Sequence, residues 1–126
     1  MTQKNRPRDS VTTLIEFLEN IIGDYFDAPQ AKRYKNGCAI SWLSKDNKKN
    51  AIGINERKGA FSVEFQLVPE LVDKLPQSVY RVIEDKHLRI TDWNNIKYFK
   101  LYVKHNNQED FKDLEDVAKG YVSVLI

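Results

Sequence analysis

One cysteine, Cys38, and two histidines, His87 and His105, are all this chain offers of the residues that most often hold metals or attack substrates. A lone cysteine excludes an intrachain disulfide and, within one chain, a cysteine-based zinc site. It fits a reducing, cytoplasmic setting. Cys38 falls in an expected strand, not at a helix N-terminus that would activate it, and reads as a buried, inert thiol. Charge of one sign is missing too: 20 basic residues against 18 acidic leave +2, too balanced to imply nucleic acid by itself. No run approaches the ~18 uninterrupted apolar residues of a membrane-spanning helix. Met1–Asp9 is polar and basic, without the apolar centre of a secretory signal. Gly53 and Gly59 stand alone, so there is no glycine-rich phosphate loop.

Catalytic constellations are equally scarce. No serine sits in a GxSxG context, and neither histidine has an evident nucleophile and orienting acid. His87 with Asp92 is the nearest approach to a metal or acid–base pair, and a capping or surface role suits His87 better. The carboxylate pairs Glu70/Asp73 and Asp113/Asp116 fall on expected helix surfaces, without the burial that would separate their pKa values. No catalytic residue, metal or cofactor is expected.

What remains is material for one ordinary core: 126 residues, 41% hydrophobic, with two Trp, six Tyr and six Phe. Residues 1–9 are expected as a flexible basic arm and 10–126 as a single domain. Ser10 offers an N-cap to a helix whose apolar residues Leu14, Ile15, Leu18, Ile21 and Ile22 recur at helical spacing, with Gly23 as its stop. Lys32–Lys35 leads, as a loop or short strand, into a strand at Cys38–Ser44. Lys45–Lys49 reads as a polar hairpin loop. Ala60–Leu67 is the clearest strand: Phe61, Val63, Phe65 and Leu67 alternate with Ser62, Glu64 and Gln66. It follows the strand carrying Ile52 and Ile54 through the short link Lys58-Gly59. Pro69–Leu75 and Ser78–Asp85 read as short helices. His87–Trp93 is ambiguous, with enough alternation for a short strand. Ile96–Lys104 sets Phe99, Leu101 and Val103 on one face and Tyr98, Lys100 and Tyr102 on the other. Asn106-Asn107 caps a closing helix. Strands in runs, without βαβ alternation, predict an α+β fold: an antiparallel sheet of four to five strands with the terminal helices on one face, a two-layer sandwich.

The opening helix, the meander Asn50–Phe61, the segment His87–Trp93 and the closing helix from Asp110 together resemble the small bacterial domains of the YdhG-like and MmcQ/YjbR-like families. That resemblance implies a compact α+β domain with no established activity and, for the YjbR branch, association with nucleic acid. Members of that branch usually carry a histidine before the tryptophan; Asp92 stands there in this chain.

Function is expected to be binding. The polar face of the sheet would gather Asn55, Arg57, Ser62, Glu64, Gln66, Tyr98, Lys100 and Tyr102, and the leading reading is a non-enzymatic module that uses this face or an edge strand for a protein partner or its own copy. A second reading is weak nucleic-acid binding. It draws on the same tyrosines and on the basic stretch from Lys32 to Lys58, which holds eight cations against Asp46 and Glu56. A third is a small-molecule effector pocket lined by Trp42 and Trp93. No membrane partner is expected.

Overall fold

The computed structural model describes residues 6–23, 26, 30–34, 37–43, 50–57 and 59–125. Its elements are α1 (Arg6–Ile22), β1 (Gln30–Tyr34), β2 (Gly37–Leu43), β3 (Ala51–Arg57), β4 (Ala60–Leu67), α2 (Pro69–Val72), α3 (Gln77–Asp85), β5 (Thr91–Trp93), β6 (Ile96–Lys104) and α4 (Gln108–Ser123). All strand pairs are antiparallel, in one six-stranded sheet ordered β1-β2-β3-β4-β6-β5. This is the α+β sandwich the alternation predicts. The sheet exceeds four to five strands because short β1 and β5 are both added at its ends.

Period-2 alternation in β3, β4 and β6 sends one set of side chains to one face. Across the ladder, Ile54 opposes Val63, which opposes Leu101; Ile52 opposes Phe65, which opposes Phe99. These join Leu14, Leu18 and Ile22 of α1 and Leu114, Val117, Ala118 and Tyr121 of α4 in one buried cluster. Phe17 meets Phe111 edge-on at 5.4 Å where α1 crosses α4. Tyr121, wholly buried, donates its hydroxyl to the Gln66 carbonyl at 2.6 Å, with the Ala51 carbonyl at 3.2 Å. Burial pushes that hydroxyl's pKa well above the ordinary tyrosine value.

One boundary differs from expectation. α1 begins at Arg6, so residues 6–9 are helix, not arm, and Ser10 lies inside the first turns instead of capping them. Pro7 suits a first helical turn, because its missing N–H would find no intrahelical partner there. α1 does stop at Gly23, which takes the left-handed φ of 55°. At the other end Asn107 is the N-cap, its side chain accepting the Asp110 N–H at 3.0 Å. The hairpin loop Lys45–Lys49 lies outside the described residues.

Candidate functional site

β6 is held on one side by β4 at every residue but Ile96, from Lys97↔Leu67 to Lys104↔Ala60. On the other side β5 pairs with it only at Ile96, Lys97 and Tyr98. β5 is a strand at all because the two-residue link Asn94-Asn95 turns sharply, both residues having positive φ (49° and 64°). That conformation matches hairpin twist and favours asparagine. Beyond Tyr98, no strand among the described residues covers this edge.

Which backbone groups point outward there follows from the ladder. In an antiparallel strand the N–H and C=O of one residue face the same side, and sides alternate along the chain. Lys104 N–H faces away from β4, because it reaches Asp110 Oδ2 at 3.0 Å. By alternation Lys100 and Tyr102 present their N–H and C=O to the same open side. The unpaired edge is therefore short: β5 closes it at Tyr98 and Asp110 closes it at Lys104.

Asp110 is fixed for that task. Its Oδ1 accepts from Lys86 Nζ at 2.8 Å, and Asp113 lies 3.3 Å from the same ammonium. Burial alone would push the Asp110 carboxyl up, but the Lys86 ammonium and the Lys104 N–H together hold it below its ordinary value. Hydrogen bonding to Asp110 in turn raises Lys86.

Between α3 and β5 the chain passes beside the open edge as a strap. α3 ends in a Schellman closure: His87 N–H donates to the Glu84 carbonyl at 3.2 Å and Leu88 N–H to the Ile83 carbonyl at 2.8 Å. His87 supplies the left-handed residue, φ 54°. Leu88 and Ile90 then pack against the core. Between strap and strand lies a cleft of about 330 Å³, lined by Lys86, His87, Leu88, Arg89, Thr91, Tyr98, Lys100 and Tyr102. Cations and tyrosines dominate its wall, and no carboxylate among the described residues contributes to it.

The expected binding residues divide accordingly. Tyr98, Lys100 and Tyr102 come together at the cleft, and Tyr102 is 54% exposed. Glu64 and Gln66 lie beside them on β4, with Gln66 Nε2 donating to Glu64 Oε2 and Lys100 Nζ 4.0 Å from Glu64 Oε1. Asn55 opposes Ser62 farther in, and the face is closed there: Ser62 is 0% exposed, so the polar face is not the continuous wet surface that alternation predicts. Arg57 stands at the end of β3, opposite Ala60. Trp93, 61% exposed, ends β5. Trp42 stands on β2 opposite Ile52. The strand order sets β2 four strand spacings from β5, roughly 19 Å.

Of the histidines, His87 serves the helix end and His105 lies against Phe61, ring centroids 4.5 Å apart. Asp92 pairs with Lys97 at 3.3 Å. Among the described residues no group of three or more His, Cys, Asp or Glu is placed to hold a metal, and no helix is long and apolar enough to cross a membrane. The sequence reading missed His87–Arg89 and Lys86 as site residues. The segment Lys86-His87-Leu88-Arg89, with a cation at each end, was the available signal, legible only once its position beside β6 is known. Comparison of the chain with known protein families, with curated proteins and with solved structures finds no match.

Proposed function

We propose that this chain is a non-enzymatic interaction module that takes an extended segment of a partner protein as an added strand on β6. One observation carries the reading: no strand among the described residues pairs with the β6 edge between Tyr98, where β5 stops, and Lys104, where Asp110 accepts the N–H. Open edge groups pair readily with an extended peptide, main-chain hydrogen bonds giving affinity and flanking pockets giving selectivity. Kinship with the YdhG-like and YjbR-like domains belongs to the same proposal and rests on element order.

The test uses a library of short extended peptides selected on the full chain, then re-measured on Tyr102→Pro. Proline removes the outward N–H and is tolerated on an edge where no β4 bond is lost. Peptides that bind the native chain and lose most of their affinity for the variant support strand addition. Selected peptides that bind both chains alike would sink it.

A second reading has one observation in its favour: Tyr98 and Tyr102 flank Lys100, an arrangement able to stack bases around a phosphate contact. It predicts binding of single strands that weakens steeply with salt, with a log–log slope of about −0.7 per phosphate. The basic loop it would also use, Lys45–Lys49, lies outside the described residues.

A further inference from the structure

The geometry points to an acidic partner: the cleft between the strap and β6 is a carboxylate site, and the segment that adds to β6 carries a Glu or Asp held between Arg89 and Lys100. The inference rests on the strand-addition reading for the peptide backbone and adds the charge that the peptide brings.

The β5–β6 register supplies the reason. Thr91 opposes Tyr98. Continued by two residues on each strand, the same ladder would set Arg89 directly opposite Lys100. Like charges facing each other across a strand pair are destabilising. The ladder ends at Thr91, and the strap leaves space between the two cations instead of pairing. A carboxylate in that space turns a repulsive pair into a bridged one, with the planar guanidinium able to grip both oxygens.

The surrounding charges favour one such group. Lys86 is already met by Asp110 and Asp113. Among the described residues Lys100 has only the distant Glu64 oxygen at 4.0 Å, and that carboxylate also receives Gln66. Among the described residues Arg89 has no ion pair. Arg89 and Lys100, offset by Glu64, leave a single positive charge to be met, which suits a carboxylate better than a dianionic phosphate. A cleft of about 330 Å³ accommodates a side chain with its flanking peptide groups. Tyr98 and Tyr102, two residues to either side of Lys100 on the same face, wall the position.

The experiment titrates the full chain with one extended peptide made in four forms, with Glu, Gln, Lys or phosphoserine at its centre, and with a single-stranded oligothymidine. The expected result is that the Glu form binds about tenfold more tightly than the Gln form at low salt, a 1.4 kcal/mol advantage, with the Lys form weakest. Arg89→Gln and Lys100→Gln each remove most of that Glu-over-Gln advantage. Equal binding of Glu and Gln forms, both lost in Tyr102→Pro, overturns the carboxylate site and leaves strand addition standing. A Glu preference that survives Tyr102→Pro at full affinity supports the carboxylate site and overturns strand addition. Tighter binding of phosphoserine or oligothymidine than of Glu overturns the assignment to a carboxylate. Failure of every form to bind overturns both.

Discussion

Asp110 accepts the backbone N–H of Lys104 at 3.0 Å, so the first turn of α4 takes the position that the next strand of the sheet would occupy. With its other oxygen on Lys86 at 2.8 Å, the same carboxylate also fastens the end of α3. One side chain thus ends the open edge and anchors the strap that borders the cleft.

Asp110→Asn should lower stability at pH 7 by ~1–3 kcal/mol, since it leaves Lys86 with a weakened partner. The pH dependence has a definite sign. The folded carboxyl titrates below its ordinary value of 3.8, so the unfolded chain takes up the proton first. Asp110 therefore contributes stability that is present above about pH 4 and is lost as pH falls through the folded value. Urea unfolding from pH 7 down to pH 3 should show a shallower acid loss in the variant than in the native chain. An identical acid limb in both would contradict the assignment.

Phe65→Ala should cost roughly 3–5 kcal/mol, because the ring is wholly enclosed and a cavity would remain. Phe65 stacks on Phe99 at 5.4 Å and tilts against Tyr121 at 5.3 Å, joining two strands to α4. A loss within ~0.5 kcal/mol, as for a surface change, would mean the register is inverted.

Gly120→Ala should also destabilise, by ~1–3 kcal/mol. A Cβ at Gly120 would collide with Val79 Cγ2 and lie 2.8 Å from Pro76 Cγ, so the absent side chain is what lets α4 approach α3. Combined with Val79→Ala, which removes the clashing methyl, the two losses should fall short of additive. Strict additivity in thermal unfolding would show that the contact is not close.

His87→Gly should leave the fold intact and raise its stability by up to ~1 kcal/mol, as glycine adopts φ 54° without the steric cost of a Cβ. A marked loss would show that the imidazole, and not only its backbone, holds the strap.

The parts of this fold legible in the sequence are those that local periodicity specifies. Phe61, Val63, Phe65 and Leu67 fix which face of β4 is buried before any partner is known, and Asn107 announces the start of α4. The strap and the edge were not legible, because they depend on which strands become neighbours. Trp42 and Trp93 are each plausible pocket residues until the order β1-β2-β3-β4-β6-β5 separates them. Ser62 alternates like an exposed residue and is buried all the same. Asn94-Asn95 did carry a hairpin signal, which would have identified β5 as the partner of β6.

The open edge itself is tested most directly by amide hydrogen exchange along β6 in the free protein. Phe99, Leu101 and Val103, whose N–H groups face β4, should exchange slowly, and so should Lys104, held by Asp110. Lys100 and Tyr102 should exchange faster than these neighbours by orders of magnitude, giving an alternating pattern that ends at Lys104. Lys100 and Tyr102 amides as protected as those of Leu101 and Val103 would mean the edge is already closed, and strand addition on β6 would have no place to occur.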